Sequence, residues 1–126
     1  MAENLPDLSI VILNFNVKDL LLDCLDSIFK NKGKDDNWQI IIVDNASSDG
    51  SVEAVKQKYL QAPHMSSGKA IEIVENKENI GFAAGNNKAI PKVKAPVVLF
   101  LNPDTEIVDG AISKSLKYLL SNPEIG

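Results

Sequence analysis

The 126 residues contain a single cysteine, Cys24, so no internal disulfide can form and a reducing compartment is expected. No apolar run approaches the ~20 residues that a membrane-spanning helix needs. The opening "MAENLPDLSI" lacks both the basic start and the apolar centre of a secretory signal. A cytoplasmic location is therefore the expectation, with peripheral association at the inner face of a membrane left open. Basic residues are in deficit: 13 Lys and Arg against 17 Asp and Glu give a net charge of −4. That balance argues against nucleic acid as a partner, which would need clustered cations to neutralise phosphates. A single phosphorylated ligand is still allowed, because backbone amides and a metal ion handle it locally. Internal repeats and low-complexity segments are absent as well.

What is present is the composition of a globular domain, 44% hydrophobic and 24% charged. A chain of this size buries roughly 65% of the surface that its unfolded form exposes, enough for a core. Four apolar runs stand out: "LSIVIL" (8–13), "QIIIV" (39–43), "AIEIV" (70–74) and "PVVLFL" (96–101). They are short, β-branched and bounded by polar or turn-forming residues, which reads as strands. Three are apolar nearly throughout, the pattern of parallel strands covered on both faces. "AIEIV" alternates more, which places it nearer an edge.

Helical spacing fills the gaps. Leu21, Leu25 and Ile28, with Cys24 beside them, recur at helical intervals after the first strand, and Val52, Val55 and Tyr59 after the second. Asp49-Gly50-Ser51 supplies cap chemistry for that second helix. Ile112, Leu116, Leu119 and Leu120 follow the fourth strand, while 82–90 is Ala- and Gly-rich and a weaker helix former. "QAPHMSSGK" (61–69) reads as a surface loop; its Ser-Gly-Lys lacks the first glycine of a phosphate-binding loop, and His64 has no second metal ligand at suitable spacing. Trp38 is expected to pack at a sheet end. Strand and helix alternate, so the fold class is α/β, a mainly parallel sheet with helices on both faces.

Ligands of parallel α/β sheets bind outside the carboxyl ends of the strands. The first run is followed by Asn14-Phe15-Asn16, the second by "DNASSDGS" from Asp44, the third by a polar stretch into "NIGFAAGNN" (79–87), and the fourth by Asn102-Pro103-Asp104. Each alone has an ordinary explanation. Asn14 and Asn16 serve as turn formers that cap a helix, the Asp, Asn and Ser of the second loop are common turn residues, and glycines fit a tightly packed helix start. All four on one edge point instead to a binding site. A dinucleotide-binding oxidoreductase would need Gly-x-Gly-x-x-Gly where "NFNVKD" stands, and a sugar nucleotidyltransferase a Gly- and Arg/Lys-rich loop there. A response-regulator receiver would carry its phosphoacceptor Asp after the third strand, where Val74-Glu75-Asn76 stands.

The ordered set "SIVILNFN", "IIIVDNASSDGS", "NKENIGFAAGNN" and "FLNPDTEI" resembles the nucleotide-binding half of family 2 glycosyltransferases, the large inverting group with the GT-A fold. The resemblance covers about residues 8–126, and its last two motifs are most like a branch that includes rhamnosyltransferases and other polysaccharide-building enzymes. It implies a donor that is a UDP- or dTDP-linked sugar and an acceptor that is a glycan or lipid-linked saccharide. Asp44 would accept a hydrogen bond from the ring N–H of uracil or thymine, with Asn14 and Phe15 holding and covering the base and Ser47 in support. Asn79, Gly81, Gly85 and Asn86 would line the diphosphate-sugar side. Asn102-Pro103-Asp104 stands at the place of the family's Asp-x-Asp signature, so Asp104 would bind Mg²⁺ or Mn²⁺ and Asn102 the ribose or a metal-bound water. Thr105 would support the turn and Glu106 begin the next segment in solvent. Asn102 in place of Asp, and Asn86 where many relatives carry Arg, depart from the family pattern. The resemblance also implies that the acceptor site and the catalytic base lie beyond Gly126. The chain is then expected to be a truncated, donor-binding part of one domain that binds nucleotide and transfers sugar poorly or not at all. The competing expectation is a non-catalytic nucleotide-sugar-binding or interaction module.

Overall fold

The computed structural model describes residues 5–60 and 71–125. The loop expected at 61–69, with His64, and the first residue of the third apolar run lie outside the described residues. Strands β1 (Leu8–Asn14) and β2 (Trp38–Asp44) are buried almost without a break. Their unalternated apolar sequence requires cover on both sides, and they occupy the middle of a four-stranded parallel sheet of order β3-β2-β1-β4. They pair in direct register from Leu8 opposite Trp38 to Asn14 opposite Asp44. Trp38 is thus the first residue of β2, buried at the strand's start.

Alternation along the strands divides the core. Ile10, Ile12, Ile40 and Ile42 face a layer made by α1 (Lys18–Asn31) and α2 (Ser51–Tyr59), through Leu21, Cys24, Leu25, Ile28, Val55 and Tyr59. Val11, Ile41 and Val43 face the other way, onto Ala89. That second side is covered by the short α3 (Phe82–Asn87) and a 3₁₀ turn at Ile90–Lys92, which carries a proline in its first turn. The weak helix expected over 82–90 therefore stops after six residues and tightens. Helices lie on both faces, as the alternation of elements predicts. Among the described residues no helix is long and apolar enough to cross a membrane.

Strand β3 (Ile71–Glu75) is an edge strand, in keeping with its alternation. The other edge departs from expectation. Strand β4 (Val98–Leu101) has the sequence of an interior strand, yet among the described residues it pairs only with β1 and leaves Phe100 50% exposed. Helix α4 (Ala111–Ser121) covers one of its faces, and only Ile112 of that helix is buried. Leu116 and Leu119 line an open apolar groove against Leu99 and Leu101, while Leu120, expected on the same apolar side, is exposed.

Two polar residues inside the apolar strands have a structural use. Ser9 Oγ donates to Gln39 Oε1 at 2.6 Å, and Lys94 N donates to the same oxygen at 3.0 Å. Gln39 Nε2 donates to Lys92 O at 2.7 Å and to Glu72 Oε1 at 3.0 Å, and Ala95 N donates to Ser9 Oγ at 3.2 Å. All four bonding positions of the Gln39 amide are filled, which clamps the segment leading into β4 onto the sheet.

Candidate functional site

Because the four strands are parallel, their carboxyl ends share one edge, and the residues that follow them meet there. At the centre, Asn14 and Asp44 end their strands as register partners. Asn14 Nδ2 donates to Asp44 Oδ1 at 2.8 Å and to Ser47 Oγ at 3.2 Å, and Ser47 N donates to Asp44 Oδ2 at 2.9 Å. Each carboxylate oxygen thus takes one protein donor and keeps a further lone pair. Asp44 is 4% exposed, so the pair of donors fixes the carboxylate in place. The Asn14 amide has to point its nitrogen at this acceptor, which leaves its buried Oδ1 without a partner among the described residues.

A second set of bonds locks the two loops together. Asn16, in the left-handed region at φ 52, donates its N–H to Ser47 Oγ at 2.9 Å and accepts from Ser48 N at 2.7 Å. It does not cap α1. That role falls to Asp49, whose Oδ2 accepts from Lys18 N at 2.9 Å while Oδ1 accepts from Ser51 N at 3.0 Å. One carboxylate therefore caps both α1 and α2. Partial burial pulls its pKa upward, but the bonds from Ser51 and Lys18 outweigh that and hold it below the usual carboxylate range. Phe15, between the two asparagines, stands 45% exposed at the edge.

Asn45 carries the connection to α3. Its backbone N–H donates to Asn14 O at 2.9 Å, its Oδ1 accepts from Asn76 Nδ2 at 2.8 Å, and its Nδ2 donates to Gly81 O at 3.1 Å. Gly81 has φ 87 and ψ 179, a conformation that side chains resist, and its N–H bonds to Asn79 Oδ1 at 3.0 Å. Gly85 is glycine for a packing reason: a Cβ there would lie 2.6 Å from Leu13 Cδ1 and 3.1 Å from Asn45 Nδ2. Asn86 is buried and shares a small hollow with Leu13, Phe82, Phe100 and Asn102.

At the fourth strand end, Thr105 N donates to Asn102 O at 3.1 Å, closing the Asn-Pro-Asp turn, and Cys24 Sγ lies 4.0 Å from the same carbonyl. Burial, with a smaller effect of the Asp104 charge, pushes the Cys24 thiol up to about 11. Asp104 and Glu106 are exposed. No direct hydrogen bond joins Asp104 to the Asp44 cluster among the described residues. Nor do those residues contain a group of three or more His, Cys, Asp or Glu side chains arranged to hold a metal. One exposed carboxylate fits a hard cation that takes its remaining ligands from phosphate and water, and does not fit a preformed cage. A larger cleft of about 410 Å³ runs between α1 and residues 106–109, lined by Asp23, Asp26, Lys30, Glu106 and Asp109. It lies along the helix and contains none of the strand-end cluster.

The expected residues thus fall into three groups, with Phe15 and Asp104 exposed outside them. Asn14, Asp44 and Ser47 are bonded together, and Asn79, Gly81 and Gly85 are tied to them through Asn45. Asn86 and Asn102 meet at the hollow. The cap expected from Asp49 on the second helix is present, while its bond to α1 and the bracing by Asn45 and Asn76 were not foreseen; the signal for those two asparagines was their position beside Asp44 or directly after a strand.

The family model for glycosyl transferase family 2 matches residues 9–126. A glycosyltransferase of Bacillus subtilis named for teichuronic acid biosynthesis, TuaG, is 26% identical over 91% of this chain, which spans 42% of that protein. A poly(ribitol-phosphate) beta-glucosyltransferase of Bacillus spizizenii is 29% identical over 91% of this chain, which spans 17% of it. Among solved structures, a mannosyltransferase of Pyrobaculum calidifontis in complex with GDP-Man and Mn²⁺ superposes with a TM-score of 0.79 at 24% identity, over 90% of this chain and 32% of that one. TarS of S. aureus in complex with UDP-GlcNAc gives 0.76 at 18% identity, over 93% and 32%. The chain therefore spans less than half the length of each of these proteins, and the fold they share is the GT-A fold. With its parallel sheet and its family motifs at the strand ends, the chain belongs to glycosyl transferase family 2.

Proposed function

We propose that this chain forms the donor-binding part of a glycosyltransferase that moves a sugar, with inversion, from a UDP- or dTDP-linked donor to a glycan or lipid-linked acceptor. The observation that carries the reading is the Asp44 carboxylate, buried at the carboxyl edge with one donor on each oxygen and a lone pair left on each. Such a group accepts from the ring N–H of uracil or thymine and faces an acceptor nitrogen in cytosine. Asn14 holds that carboxylate, Phe15 covers the base, and Asn79, Gly81, Gly85 and Asn86 border the diphosphate-sugar side, with Asn102 toward the ribose. Asp104 would hold Mg²⁺ or Mn²⁺ together with the diphosphate. When bound, the cation supplies Lewis-acid stabilisation of the departing nucleoside diphosphate. In the transfer the acceptor oxygen bonds to the anomeric carbon, the bond to the diphosphate breaks with its electron pair, and a base takes the acceptor proton. We assign that base to chain beyond Gly126, since Asp109 lines the cleft along α1 and Glu124 follows the last helix.

Relatives named for teichuronic acid biosynthesis and for glucosyl transfer on poly(ribitol-phosphate) favour a role in polysaccharide building, and the "NIGFAAGNN" and "LNPDTE" forms favour the rhamnosyltransferase-like branch. A cytoplasmic location belongs to the same proposal and rests on the lone cysteine. The test is calorimetric titration with UDP and dTDP, with and without Mn²⁺, on the wild type and on Asp104→Ala. Binding that Mn²⁺ strengthens in the wild type and not in the variant is expected. Identical metal dependence in both would remove Asp104 from the cation site, and no binding by the wild type would end the donor-site reading.

A further inference from the structure

We infer that Asn45 is a positioning residue that couples the nucleobase end of the donor pocket to its diphosphate-sugar end; the inference rests on the donor-binding reading above. Asn45 is 2% exposed and follows Asp44 directly. Three of its polar groups go to three different parts of the edge: the backbone N–H to the end of β1, Oδ1 to Asn76 just past β3, and Nδ2 to Gly81 at the start of α3. Asn76 in turn donates its backbone N–H to Asp44 O at 2.9 Å, so the two asparagines brace each other across the sheet edge.

Helix α3 depends on this brace. Six residues are too few to hold a helix by themselves, and its N-cap residue, Gly81, has no side chain with which to cap it. The carbonyl that Asn45 engages, Gly81 O, also accepts the first helical bond from Gly85 N at 3.1 Å. Asn45 therefore grips the helix at the bond that starts it. Gly85 rests against Leu13 and against Asn45 itself, with no room for a Cβ. A shift of the Asn45 amide would move the backbone of Gly81 and Gly85 together, while the Asn14–Asp44–Ser47 cluster keeps its own separate bonds. Asn45 itself touches neither base nor sugar in this scheme.

Two substitutions separate positioning from plain stability. Asn45→Asp keeps an acceptor for Asn76 but turns a carboxylate oxygen toward Gly81 O. Asn76→Ala leaves the Gly81 bond and removes the brace. Amide exchange by NMR should rise at least about tenfold at Gly85 and Lys88 in Asn45→Asp, with Val11 and Ile41 unchanged, and less in Asn76→Ala. Titration with UMP should stay within about twofold of wild type, whereas UDP-GlcNAc should weaken at least about tenfold. Equal weakening of both ligands, unchanged exchange at Gly85, or a wild type that gains nothing from UDP-GlcNAc over UMP would overturn the coupling. A wild type that binds neither ligand would instead bring down the donor reading beneath it.

Discussion

Replacing Asp49 with alanine removes one carboxylate and uncaps two helices at once. Lys18 N at the start of α1 and Ser51 N at the start of α2 both donate to it, at 2.9 and 3.0 Å. Loss of one side-chain cap costs about 1 kcal/mol, so the double loss should cost about 2 kcal/mol. A chain of 126 residues has an unfolding entropy for which each kcal/mol shifts Tm by about 4 °C, so the expected drop is about 8 °C. Asn at this position keeps one accepting oxygen and should lose about half as much. The pH dependence has a definite sign. Folding lowers the Asp49 pKa, so its charged form adds stability above the unfolded value, near 4, and that part is lost as pH falls through the folded value. Urea denaturation should therefore show a wild-type advantage over Asp49→Ala at pH 7 that shrinks at about pH 3 toward the contribution of a neutral cap. An alanine variant within about 0.5 kcal/mol of wild type, or a gap equal at both pH values, would refute a shared cap.

Three further outcomes follow from other parts of the molecule. Asp44→Asn exchanges an acceptor for a donor, so the preference for UDP over CDP should fall by about 10- to 150-fold, the worth of one charged hydrogen bond; calorimetry that finds an unchanged ratio removes Asp44 from base recognition. Gln39→Leu strands the buried Ser9 hydroxyl and unclamps the segment before β4, which should cost about 2–4 kcal/mol in urea denaturation. Adding Ser9→Ala should recover about 1 kcal/mol of that loss, and strict additivity would argue against a linked network. Cys24, fully buried and with its thiol pushed up to about 11, should react with Ellman's reagent at pH 8 only as fast as the protein unfolds. Rapid stoichiometric reaction of the native protein would contradict its place in the core.

Much of this architecture is written locally. The apolar runs of β1 and β2 and the spacing of Leu21, Leu25 and Ile28 identify the central strands and α1, because burial on both faces or on one stripe leaves a period in the sequence. Strand β4 misleads for a physical reason. Its composition reports how much cover the strand suits, whereas its exposure reports what actually lies beside it, and on one side nothing described does. The places of Asn14 and Asp44 at the carboxyl edge are legible because strand ends are predictable, and Ser47 follows in the loop after β2. Asp49 is legible as a cap of α2, but its bond to α1 and the role of Asn45 are not, since Asp and Asn in a loop look the same whether they cap one helix, two, or tie a strand to a distant glycine. Those bonds span 31 to 36 residues, beyond any local period. Ser9 and Gln39 did leave a signal, two polar residues inside apolar strands, but their partners arrive from residues 92–95.

The strand order has a consequence for how the molecule is born. Leu8 meets Trp38 across 30 residues, whereas Ser9 meets Val98 across 89. Tripling the loop raises the entropic cost of closure by about 1 kcal/mol, so the inner pair should zip first and the outer strand dock last. Pulse-labelled exchange during refolding should accordingly protect Ile41 before Leu99; simultaneous protection would speak against sequential docking. The paired ends of β1 and β2, with Asn14 and Asp44, are then in place while the Asn102–Asp104 turn after β4 is still loose chain.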